Sequence, residues 1–168
     1  MNNVLIVSVI GPDRSGLVEQ LAATIAAKNG NWLESSFSRL AGQFSGIVKV
    51  AVTGAGEEVL LALQQIAGLD IRGVLDIERE ETAIISQSVE LSLIGHDRVG
   101  IVKDVATILA RFAVNIEKLE TWLSSAAMSG EMMFHAQLIL SAPLDVDLDQ
   151  VHRQLECIAD DLMVEWTD

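Results

Sequence analysis

The chain has a single cysteine, Cys157, which excludes an internal disulfide framework. Cys157 is expected to be a packed helix residue, not a nucleophile. The three histidines, His96, His135 and His152, lie far apart without metal-ligand spacing, so no metal or other cofactor is expected. Long apolar runs are missing too. The stretch "VLIVSVI" from Val4 to Ile10 has no basic flank and is too short to cross a bilayer. Neither a signal peptide nor a membrane helix is expected, and the expected location is cytoplasmic.

Positive charge is scarce: 11 lysines and arginines stand against 24 aspartates and glutamates, for a net charge of −13. The first half of the chain carries 6 basic and 10 acidic groups, net −4, and the second half carries 5 and 14, net −9. Duplex DNA binding depends on basic groups displacing counterions, so direct nucleic-acid binding is not expected of either half. The acidity reads as a solvated surface, with an acidic docking patch as the alternative.

Catalytic groupings are also lacking. No serine, histidine and acid set is recognisable, and "GAGEEV" at Gly54–Val59 has valine where a dinucleotide turn needs its third glycine. The acid pairs Glu80–Glu81 and Asp160–Asp161 read as solvated linker or helix surface. Trp32, Trp122 and Trp166 fall in or beside predicted strands, where they are expected to pack on a core or sheet interface. An enzyme is not expected.

What is present is a repeat. "IGPDRSGLV" at Ile10–Val18 returns as "IGHDRVGIV" at Ile94–Val102, and the offset from Gly11 to Gly95 is half of the 168-residue length. With 50% hydrophobic residues the chain can bury two small cores. Each copy opens with a strand, Val4–Ile10 or the alternating Val89–Ile94. Helical spacing follows, at Leu17, Val18, Leu21 and Ile25, and at Ile101, Val102, Val105, Ile108, Leu109 and Phe112. The first helix is expected to stop at "KNGN" with Gly30 in the left-handed cap conformation. Val114 replaces Gly30 in the second copy, whose helix should therefore close differently.

Strands at Trp32–Leu40 and Phe44–Val52 around "AGQ" predict a hairpin with Gly42 at positive φ. Their counterparts, Ile116–Leu123 and Met132–Ser141, flank a longer loop at Ser124–Glu131. Second helices are predicted over Glu57–Ala67 and Leu148–Leu162, and last strands over Ile71–Arg79 and Met163–Trp166. The order is strand, helix, strand, strand, helix, strand, twice. This is an α+β protein of two tandem ferredoxin-like βαββαβ domains, residues 1–82 and 86–168, with antiparallel four-stranded sheets and helices on one face. The charged stretch Glu78–Thr82 is expected to lead into the linker.

A strand that turns through glycine into a helix leaves backbone N–H groups unpaired in a region of positive potential, which suits a carboxylate. Asp13 or Asp97 could then hold an ammonium while Arg14 or Arg98 organises the turn, so an α-amino acid fits. The alternative is structural: Asp13 and Asp97 cap the helices, and Gly11, Gly16, Gly95 and Gly100 serve tight turns and close packing.

"GPDRSGLV", a helix and then "NGNWLESS" resemble the ACT domain family of small-molecule-sensing βαββαβ modules. Asn31 matches Asn115 at the same half-chain offset, and the resemblance covers essentially the whole chain. Within that family, "NWLESSFSRLAGQFSGIVKV" resembles the glycine cleavage system transcriptional repressor group. The resemblance implies a cytoplasmic regulator that senses a small amino acid of the glycine or serine class. It further implies action through a protein partner, the operon's transcriptional activator. The ligand positions it implies are Gly11, Asp13, Arg14, Gly16 and Asn31, with Gly95, Asp97, Arg98, Gly100 and Asn115 in the second copy. His96 replaces Pro12 and could reach a ligand, although a turn histidine is expected to be exposed and without a partner. The family often has proline before the second glycine; here Ser15 and Val99 stand there. A separately encoded regulatory subunit of an amino acid or one-carbon enzyme is the alternative function. Exposed strand edges are compatible with a homodimer.

Overall fold

The computed structural model describes residues 3–77 and 85–167. The chain divides into two compact units, Met1–Glu81 and Thr82–Asp168. In the first, β1 (Asn3–Pro12), α1 (Leu17–Ala27), β2 (Asn31–Leu40), β3 (Gln43–Val52), α2 (Glu57–Gln64) and β4 (Asp70–Ile77) follow in order. The second repeats them as β5 (Ser86–His96), α3 (Ile101–Arg111), β6 (Asn115–Ser125), β7 (Met132–Pro143), α4 (Leu148–Glu156) and β8 (Met163–Thr167). The sheets run β2-β3-β1-β4 and β6-β7-β5-β8, and every pairing is antiparallel. Both units are ferredoxin-like, with the helices on one face of each sheet. Even the irregularities repeat: β2 slips register between Trp32 and Glu34, and β6 between Ile116 and Lys118.

Alternation decides which side chains meet the helices. Leu5, Val7 and Val9 of β1 point to one face and are buried, as are Val48 and Val50 of β3. Leu17, Leu21 and Ile25 recur at four-residue spacing on α1 and close that core. The second core forms alike from Leu91 and Leu93 with Val105 and Leu109 of α3. Val18 and Val102, read as members of the apolar faces, are instead 48% and 42% exposed at the helix starts.

Several expectations are corrected. Asn29, not Gly30, takes the left-handed conformation after α1, with φ 57°, and Ala113 does so after α3, with φ 55°. The two helices therefore close alike, despite Val114. The amide of Gly30 donates to the Ile25 carbonyl and that of Val114 to the Leu109 carbonyl, both at 3.0 Å. Gly30 is small for a packing reason, because a Cβ there would lie 2.9 Å from Ile25 and 3.0 Å from Val50. The hairpin turn is as expected: Ala41 and Gly42 are both left-handed, the geometry that matches strand twist.

The second helices are shorter than their apolar patterns suggest, and α4 stops at Glu156. Residues 157–162 form turns that carry the chain back to β8, which leaves Cys157 exposed just past the helix instead of packed within it. Neither glycine nor proline marks that stop, so the pattern did not show it. The expected linker residues Glu78–Thr82, the acids Glu80 and Glu81 and the last residues of the predicted strand Ile71–Arg79 lie outside the described residues.

Candidate functional site

Both Asp-Arg turns leave the central strand of a unit and enter its first helix. Gly16 and Gly100 are the helix N-caps at φ 84° and 89°, and neither helix has a side-chain cap. The left-handed conformation favours glycine there, and no side chain caps the first-turn N–H groups, although the Ile101 N–H reaches the Arg98 carbonyl at 3.5 Å. Asp13 and Asp97 are thus not helix caps. Their backbones are tied to the neighbouring hairpin, since Asp13 N–H donates to Gly42 and Asp97 N–H to Met132, each at 2.9 Å.

The side chains brace the turns differently. Asp13 pairs with Arg39 of the hairpin at 2.9 Å. Arg14 donates to Gln20 of α1 at 3.1 Å and to the Ala67 carbonyl, in the α2–β4 loop, at 3.0 Å. Arg98 instead grips the first turn of its own helix through Asp104 at 2.7 Å. The exposed Asp97 carboxylate is engaged by none of the described residues.

His96 has partners, contrary to expectation. Its Nδ1 lies 2.5 Å from Asp161 and its Nε2 2.8 Å from Glu131. Its backbone N–H also donates to Asp161, at 2.6 Å. The side-chain hydrogen bond to Asp161, followed by that to Glu131, holds the His96 pKa above its usual value. The backbone N–H of His96, then its ring, holds the Asp161 carboxyl below its own. Asp161 is therefore no idle surface acid. It joins the α4–β8 loop to the turn, as Arg14 joins the α2–β4 loop to the other turn.

Gly11 and Gly95 end the two central strands under those same loops. A Cβ on Gly11 would stand 2.3 Å from the Gly68 carbonyl oxygen, and one on Gly95 would stand 2.9 Å from a Leu162 methyl. The asparagines lie elsewhere. Asn31 faces Ala51, which faces Val4, whereas Gly11 faces Phe44, which faces Arg39. The stretch of β1 from Val4 to Gly11 separates the two rows, roughly 23 Å at strand rise. Within each unit Asn31 and Asn115 stand at the sheet end opposite the turn, so they do not join Gly11, Asp13, Arg14 and Gly16, or Gly95, His96, Asp97, Arg98 and Gly100, around one turn.

Sequence reasoning missed Arg39, Glu131 and Asp161. Each lies far along the chain from its partner, and only the unusual loop before Met132 hinted at a role for Glu131. The tryptophans divide: Trp32 and Trp166 pack on the two cores, while Trp122 is exposed on its sheet and stacks on His135. Among the described residues there is no helix long and apolar enough to cross a membrane, and no cluster suited to a metal ion.

Residues 3–72 match the ACT domain family. A protein from Galdieria sulphuraria, described as unknown, is similar over the full length of both chains at 25% identity, with a TM-score of 0.84. A protein proposed to be a glycine cleavage system transcriptional repressor is similar in fold over 100% of this chain and 99% of its own. The identity there is 13% and the TM-score 0.69. No curated protein matches the sequence.

Proposed function

We propose that this chain, two ferredoxin-like units of which residues 3–72 match the ACT domain family, is a tandem ACT-type, non-catalytic regulatory protein that senses a small amino acid and passes the signal to a protein partner. One observation carries the reading: both units present the same glycine, Asp-Arg, glycine turn at a helix start without a side-chain cap. First-turn N–H groups favour a carboxylate, and the adjacent aspartate favours an ammonium. The second turn is the readier one, because Asp97 is unengaged among the described residues while Asp13 is held by Arg39. Arg14 and Arg98 keep the turns in shape and need not touch the ligand. Asn31 and Asn115 are not counted among the contacts of the turns in their own units.

The likeness in fold to a protein proposed to be a glycine cleavage repressor makes glycine and serine the first ligands to try. The net charge of −13 favours a protein partner, such as a transcriptional activator, over DNA. The protein is proposed to act in the cytoplasm, and the edge strands β2, β4, β6 and β8 leave room for a homodimer. Ligand would act by favouring the state that the partner reads, to the extent that its affinities for two states differ.

Calorimetric titration with glycine, serine and a panel of amino acids tests this. One ligand should bind, and Asp97→Asn should abolish the stronger site. At roughly a hundred times the dissociation constant it should add about 2.7 kcal/mol of stability. No binding by any amino acid would sink the sensor reading. Affinity capture from cell extract separates the two outputs: a transcription factor supports the proposal, whereas a metabolic enzyme identifies a regulatory subunit.

A further inference from the structure

The helix-free faces of the two sheets differ at matched positions. On the first, Val74 of β4 lies opposite Ile6 of β1, and Ile47 of β3, opposite Ser8, is the diagonal neighbour of Ile6. Ile10 extends the patch on the far side of Ile47. Val74 is 67% exposed, Ile47 54% and Ile10 48%, and Ile6 is half-buried between its neighbours. Register places Thr167, Glu90 and Gln137 of the second unit where the first has Val74, Ile6 and Ile47; of the four positions only Ile94 stays apolar, as the counterpart of Ile10. The fold therefore tolerates a polar face at these positions. The apolar stripe of the first unit answers no need of its own core, which lies on the other side of the sheet.

Charge is arranged about that stripe. Arg72 lies opposite Ser8, and Glu34 lies opposite Lys49, so both share the face and stand on either side of the Ile6–Ile47 diagonal. Arg72 is on edge strand β4 and Glu34 on edge strand β2, with two strands between them. They stand about 14 Å or more apart and cannot pair within one chain. Arg72 reaches Asp70 of its own strand at 3.9 Å, with both side chains largely exposed.

We propose that this face is a self-complementary interface, covered by the same face of a second copy of the chain. A two-fold axis along the Ile6–Ile47 diagonal lays each of these residues on its own counterpart and exchanges the two sides of the stripe. Arg72 then comes over Glu34 of the second copy and Glu34 over its Arg72, while Lys49 comes over Ser8 and meets no like charge. The strands of the two copies cross steeply, as in orthogonal sheet packing. A four-stranded face about 19 Å wide and 24 Å long removes on the order of 1,000 Å² from water between two copies, near the lower limit of a specific interface. The dimer is therefore reversible and concentration-dependent. Pairing along a strand edge, the other route open to a second copy, would leave the stripe in water. The inference stands whether or not the turns bind an amino acid.

Sedimentation of the full chain over a dilution series, paired with methyl NMR, tests it. The chain should pass from dimer to monomer on dilution, with the methyl signals of Ile6, Ile47 and Val74 shifting in step and those of Ile94 and Met163, on the second unit's face, staying in place. Val74→Thr with Ile47→Gln, side chains that the second unit carries at these positions, should hold the chain monomeric and still folded by circular dichroism. Arg72→Glu and Glu34→Arg should each weaken the dimer about tenfold, and combining them should restore it. A monomer at every concentration, a dimer that leaves the stripe's methyl signals unmoved, or charge reversals that do not rescue one another overturns the proposal.

Discussion

His96 and Asp161 meet twice: the backbone N–H of His96 donates to Asp161 Oδ2 at 2.6 Å, and Nδ1 of the ring lies 2.5 Å from the same oxygen. The other ring nitrogen reaches Glu131. An imidazolium donates from both nitrogens and so satisfies both carboxylates, whereas a neutral ring can donate to only one. His96 thereby joins two loops that stand far apart in the sequence, the β6–β7 loop and the α4–β8 loop.

Stability should depend on pH through this pair, with a sign for each partner. The His96 pKa is raised in the folded state, so its contribution is full below 6.5 and is lost as pH rises through the folded value. The Asp161 pKa is lowered, so its contribution is present above 3.8 and is lost as pH falls through the folded value. The clamp should be strongest between those limits. Melting curves across pH should show the native chain losing its advantage over His96→Gln above neutrality. Parallel curves for the two would refute the clamp.

Alanine at Gly11 and at Gly95 should behave unequally. The new Cβ at Gly11 meets a backbone oxygen that cannot rotate away, and that at Gly95 meets the end of a leucine side chain that can. Gly11→Ala should cost about 1–3 kcal/mol, as overpacking does, and Gly95→Ala clearly less. Urea unfolding of both variants measures the difference, and equal losses would count against it.

Gly16→Ala and Gly100→Ala should instead cost similar amounts, about 1–2 kcal/mol each, because only the left-handed backbone resists. Neither new Cβ would meet another atom within 4 Å. Gly16→Asn should recover part of the loss, because asparagine tolerates that conformation. Thermal melts suffice to check the ranking.

Arg39→Ala should change stability by about 1 kcal/mol or less, since its pair with Asp13 is largely exposed. The same variant frees Asp13 and should strengthen amino acid binding at the first turn. Calorimetry showing weaker binding there would place Arg39 on the ligand instead.

Much of this architecture was legible in the sequence. The half-chain repeat, the alternation in β5, the four-residue spacing in α1 and the hairpin at Ala41–Gly42 are local signals, and each appears as expected. The ends of α4 and the capping of α1 were harder to read. Leu162 continues an apolar pattern past the last helical turn, and Asn29 took the left-handed role expected of Gly30, as Ala113 does before Val114.

The order of elements and the doubling of the fold follow from periodicity and turn chemistry, which act over a few residues. It took the folded sheet and its loops to bring Asp13 to Arg39 and His96 to Asp161 and Glu131, and to set Asn31 at the far end from its turn. These are outcomes of strand register, which brings together residues tens of positions apart and which no local pattern encodes.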